Sequence, residues 1–160
     1  MPQILQVAAI AVATLGSGAA TLAVVNDDIP DLEIPAGDWV QGTELDGIAF
    51  QIAGNDLERG IAQEDTILFE NGMFQSVDCE EYCNFGWSNY QTKMIDGVLH
   101  FTATALCPTA PHTVVWYGTV VDDTIEFDVT WTTRRWYWTH QIAIEGSGAI
   151  VSEAIETSQL

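Results

Sequence analysis

The stretch "VVWYGTVVDDTIEFDVTWTTRRWYWTHQIAI", Val114 to Ile144, decides how this chain reads. It is dense in β-branched and aromatic residues and is interrupted only by short polar runs, the pattern of antiparallel hairpins. A two-residue turn at Asp122-Asp123 pairs Val120 with Ile125, Gly118 with Phe127, Trp116 with Val129 and Val114 with Trp131. These fall on one face, while Glu126, Asp128, Thr130 and Thr132 fall on the other. A second turn, centred in "TTRR" between Thr133 and Arg134, pairs Trp131 with Trp136, Val129 with Trp138, Phe127 with His140 and Ile125 with Ile142. The same apolar face continues across both turns. A slip of one residue would invert every side chain, so the agreement of two turns fixes the inner face.

The same signals recur upstream. Asn71-Gly72 in "ILFENGMFQS" and Asp96-Gly97 in "KMIDGVLHF" are strong two-residue hairpin turns. Strands are expected near residues 38–43, 47–54, 65–70, 73–78, 88–95, 98–105, 113–121, 124–132 and 135–145. The expected fold is all-β: an antiparallel up-and-down barrel of eight or nine strands over residues 38–146, since closure removes exposed strand edges. A β-sandwich is the alternative. Residues 147–160 read as a tail that could hold one short helix or serve an interaction.

With a meander of this kind and a Gly-x-Trp at its first strand, Gly37-Asp38-Trp39, the chain resembles the lipocalin-like (calycin) barrels at a distance. The resemblance covers residues 37–145, and the family's Thr-Asp-Tyr type loop has no direct counterpart. It implies that Trp39 plugs the closed end of the barrel, with Arg134 or Arg135 packed over it. It also implies the possibility of a small apolar ligand inside.

Outside the barrel the composition changes. Residues 1–26 hold no charged side chain, and Ile4 to Val25 is apolar enough, at roughly 33 Å as a helix, to span a bilayer. Ala9, Ala13, Ser17 and Thr21 recur every four residues beside Gly16 and Ala20, a small-residue face on which helices pack in lipid. The segment is read as a retained transmembrane anchor, with a cleaved secretory signal ending near Ala20 or Ala23 as the alternative. Residues 27–37 form an acidic, Pro-rich linker. Either reading puts the β domain in the periplasm or outside the cell, anchored or secreted.

The charge narrows the partners. Four basic residues face 23 acidic ones, for a net charge of −19. Phosphate binding needs a basic surface, which excludes nucleic acid. Anionic lipid is repelled as well, so membrane attachment must be apolar. A saline habitat or a basic docking partner would explain the acidity.

Three cysteines, Cys79, Cys83 and Cys107, are expected to give one disulfide outside the cytoplasm, between Cys107 and either Cys83 or Cys79. Together with His112 they could alternatively form a zinc site. The inward aromatic set Trp116, Phe127, Trp131, Trp136, Trp138 and His140 is either core filling or an apolar ligand pocket. Tyr117, Tyr137, Arg134 and Arg135 face outward as interface candidates. Neither catalytic residues nor a cofactor is expected: Ser76, Ser88 and Ser147 lack a nucleophile-elbow context, and His100 lies on the polar face. The leading expectation is a non-catalytic accessory subunit of a larger membrane complex, respiratory or photosynthetic complexes being natural hosts, contacted through the N-terminal helix and the barrel surface. The rival is a carrier of a small apolar ligand.

Overall fold

The computed structural model describes residues 32–151. The apolar N-terminal segment, with its packing face Ala9, Ala13, Gly16, Ser17, Ala20 and Thr21, lies outside the described residues. Among the described residues nine antiparallel strands form one sheet: β1 (Val40–Gln41), β2 (Ile48–Asp56), β3 (Ala62–Glu70), β4 (Met73–Ser76), β5 (Ser88–Ile95), β6 (Val98–Leu106), β7 (His112–Val121), β8 (Thr124–Arg135) and β9 (Trp138–Ile150). Their order is β1-β5-β4-β3-β2-β9-β8-β7-β6, and a further pairing of β5 with β6 makes the sheet ring-like.

Three hairpins fall where the sequence puts them. Glu70 pairs with Met73, Ile95 with Val98 and Val121 with Thr124. Asn71-Gly72 and Asp96-Gly97 both take left-handed backbone at each turn position, with φ of 51° and 75°, and 49° and 80°. That geometry matches the twist of the flanking strands and is accessible to Asn, Asp and Gly at little steric cost. The pairs Val120–Ile125, Gly118–Phe127, Trp116–Val129 and Val114–Trp131 are all present.

The fourth hairpin corrects the expectation. β8 runs through "TTRR", and the turn is Trp136-Tyr137, so Val129 pairs with Ile144 rather than with Trp138. Polar residues suggested a turn, but Thr132 and Thr133 are good strand formers. They pair with Gln141 and His140, and the Arg134 amide donates to the Pro111 carbonyl. Each β9 partner therefore moves by an even number of positions, which keeps the inward face but carries Trp136, Trp138 and His140 towards the rim. β9 also continues through Gly146 and Gly148 to Ile150, past the expected end near residue 145. The glycines have a steric reason: a Cβ on Gly146 would come within 2.6 Å of the Phe127 ring, and one on Gly54 within 3.2 Å.

One element was not foreseen. α1 (Val77–Cys83) replaces the end of the strand expected over 73–78. Ser76 caps it, its hydroxyl accepting from the Cys79 amide at 3.0 Å and donating to Asp65 at 2.5 Å. The signal was available in Ser76 followed by Asp78 and Glu80 in the first turn. β4 is short, and its pairing with β5 is confined to Met73–Asn89 and Phe74–Ser88. α1 packs against β3 and β4, where that strand stops.

The core divides along the ring. At one end Phe50, Phe69, Phe74, Tyr90 and Phe101 are fully buried, with Phe69 meeting Tyr90, Phe74 and Phe101 at centroid distances of 4.9, 5.3 and 5.2 Å. Each such ring contributes about 1.5–3 kcal/mol through burial. The tryptophans lie towards the other end.

Candidate functional site

The tryptophan end is not filled. A cavity of about 750 Å³ lies between Ile52, Gly54, Val114, Trp116, Phe127, Val129, Trp131, Ile142 and Ile144. Its rim is formed by Arg59, Gln63, Glu64, Asp65, Asp78, Glu81, Tyr82, His112 and Thr133. The walls are therefore inward residues of β2, β7, β8 and β9. The rim is formed by the β2–β3 turn, the start of β3, α1 and the adjoining ends of β7 and β8.

Of the six residues proposed from the sequence as an inward ligand set, three line this space. Trp116 is 4 % exposed, packs on Phe74 and Phe127, and carries an indole Nε1 with no hydrogen-bond partner among the described residues. Phe127 lies beside it, its ring accommodated by Gly54 and Gly146. Trp131 is nearer the rim, with Tyr82, Phe85 and His112 at 5.3, 5.4 and 5.3 Å between ring centroids. The other three lie beyond the cavity. Trp136 is 94 % exposed at the hairpin tip, Trp138 is exposed, and His140 is half-exposed with Nε2 3.6 Å from Glu58. The later turn is the reason.

α1 is held over the rim at both ends. Cys83 is disulfide-bonded to Cys107, which ties the C-terminus of the helix to the segment after β6. This selects one of the two expected pairings and removes two of the sulfurs that a zinc set with His112 would need. Asp65 accepts from Ser76 and from the Asp78 amide at the N-terminus. Burial of Asp65 pushes its carboxyl above the usual range. Cys79 is free and buried, and burial pushes its thiol up to about 11, so it is a poor nucleophile at neutral pH.

Asp56 closes β2 at the rim. It is fully buried, accepts from the amides of Glu58 and Arg59 at 2.9 and 3.0 Å, and pairs with the Arg59 guanidinium at 2.7 Å. Burial opposes its charge, but these hydrogen bonds and Arg59 prevail and hold its pKa below the ordinary value. His112 donates to or accepts from Thr133 at 2.9 Å, and burial followed by Arg135 lowers its pKa, which favours a neutral imidazole.

Gly37-Asp38-Trp39 is placed differently from what the family resemblance implies. Trp39 lies on the outer face, edge-on to Tyr117 at 6.5 Å, with its Nε1 donating to Pro35 at 3.0 Å. Tyr117, an interface candidate, is half-buried beneath it and bonded to His100 at 2.7 Å. Lys93 donates to the Ala36 carbonyl, so the described end of the linker runs along the outside of the ring. Arg134, Arg135 and Tyr137 are exposed at the far hairpin tip, away from Trp39. Among the described residues no helix is long and apolar enough to cross a membrane, and no group of three or more metal-ligating side chains is gathered.

The chain matches no protein-family model, no curated protein and no solved structure.

Proposed function

We propose that the chain is a non-catalytic carrier of a small, uncharged apolar molecule, held inside a β-barrel whose mouth is covered by α1. The observation that carries this reading is the cavity, about 750 Å³ with apolar walls. Ligand sites of that character are usually about 300–1,000 Å³ with few polar groups. The acids at the rim, Glu64, Asp65, Asp78 and Glu81, disfavour an anionic ligand such as a fatty carboxylate. The Cys83–Cys107 bond supports an extracytoplasmic site, since disulfides persist in oxidising compartments.

Titration with the neutral probe N-phenyl-1-naphthylamine tests it. Saturable energy transfer from tryptophan is expected in the native protein, and weaker binding in Ile142→Trp, which puts an indole into the cavity. Failure of the native protein to saturate, or undiminished binding by a folded Ile142→Trp, would refute the reading. The rival, an accessory subunit of a larger membrane complex, rests on residues 4–25, outside the described residues. Its test is comigration with such a complex in mild detergent, and a lone monomer would exclude it.

A further inference from the structure

We propose that the rim end of the ring docks on a zwitterionic phospholipid surface through the β8–β9 tip. The tip projects: β7 begins at His112, the partner of Thr133, Pro111 before it accepts from the Arg134 amide, and β2 ends at Asp56, the partner of Ile144, so the pair Arg135–Trp138 and the turn it closes stand beyond both neighbours. At its end Trp136, Tyr137 and Trp138 are 94 %, 64 % and 41 % exposed and lie edge-on to one another. Exposed apolar side chains in that number are costly in water unless something covers them. The β2–β3 turn, joined to β9 by the Leu57 amide and by Glu58 near His140, presents Leu57 and Ile61 at the same end.

The chemistry favours lipid over protein. Trp and Tyr have apolar bodies and polar tips, and they concentrate at the level of lipid headgroups. Arg134 and Arg135 precede them, placed to pair with phosphates. Residues 129–144 contain no acid in a chain that carries 23. The tip strands therefore present no carboxylate of their own to a phosphate surface, and they carry two of the chain's four basic residues. Elsewhere the net charge of −19 would repel anionic lipid, which makes zwitterionic lipid the fitting surface. A protein interface normally needs about 800 Å² per partner, more than a narrow hairpin tip offers. This inference is independent of what the cavity holds.

The full chain is reconstituted in phosphatidylcholine vesicles with a nitrobenzoxadiazole probe on Tyr137→Cys, and separately on Asp123→Cys at the opposite end. Cys79 is buried and Cys83 and Cys107 are bonded, so the introduced thiol takes the label. The probe at 137 is expected to be quenched several-fold more by nitroxide lipids, and less by aqueous iodide, than the probe at 123. Arg134→Gln with Arg135→Gln should reduce the lipid quenching at 137 without changing the thermal melt. Equal iodide access at both positions would overturn the proposal. So would a probe at 137 that is open to iodide in vesicles but shielded in native membranes, which would assign the tip to a protein partner.

Discussion

Trp116 and Asp56 show how single side chains shape the two ends of the site. Trp116 buries an indole N–H for which the described residues supply no acceptor. Leaving such a donor unpaired costs roughly 1–3 kcal/mol. Trp116→Phe removes that donor, so it is expected to cost less stability in urea melts than the roughly 3–5 kcal/mol typical of deleting a large buried ring. Asp56 acts on stability. Its carboxylate satisfies two turn amides and the Arg59 guanidinium, so Asp56→Ala is expected to cost about 1–2 kcal/mol in urea melts. Its folded pKa lies below the ordinary value of 3.8. The ionised form is therefore the one that favours folding. Its contribution should be complete above 3.8 and fade as pH falls below 3.8 through the folded value, so native and variant curves converge in acid.

At the scale of elements, the disulfide and the α1 cap fix the helix that roofs the cavity. Cys83 and Cys107 enclose a loop with a sequence separation of 24, for which a bond contributes about 3 kcal/mol. Cys83→Ser with Cys107→Ser should lower stability by that order in denaturant melts and open the rim, giving faster ligand release in stopped flow with a smaller change in the association rate. The hairpins were legible in the sequence because Asn-Gly and Asp-Gly fix both turn and register, and because parity ties each strand to the next. The β8–β9 turn was misplaced since Thr-Thr-Arg-Arg reads as polar turn material. Its aromatic alternative makes sense only once the tip is seen to project beyond β7. Parity survived because the displacement was even, so Trp116, Phe127 and Trp131 were read as inward correctly while Trp136, Trp138 and His140 were carried to or past the rim. α1 was missed because a seven-residue helix capped by Ser76 is short beside the strand pattern running into it. The sequence placed Trp116, Phe127 and Trp131 inside but left filled core and open pocket as alternatives: the choice depends on how far the Phe50–Phe69–Phe74–Phe101 cluster fills the ring, which is a property of packed volumes rather than of pattern.

For the whole molecule, the ring-like sheet separates two tasks. A phenylalanine-packed end supplies cohesion, and a tryptophan-lined end leaves an open, apolar space beneath a rim that is acidic on α1 and β3 and aromatic at the hairpin tip. The acidic surface repels anions, so under the proposed function the apolar interior would select uncharged molecules. The measurement that tests this account most directly is the set of tryptophan indole N–H resonances, assigned by single Trp→Phe variants and followed while 2-decanone is added. The account predicts that the Trp116 and Trp131 signals shift together and saturate, while that of the exposed Trp136 does not move. Signals of Trp116 and Trp131 that stay in place, with or without a response at Trp136, would contradict it.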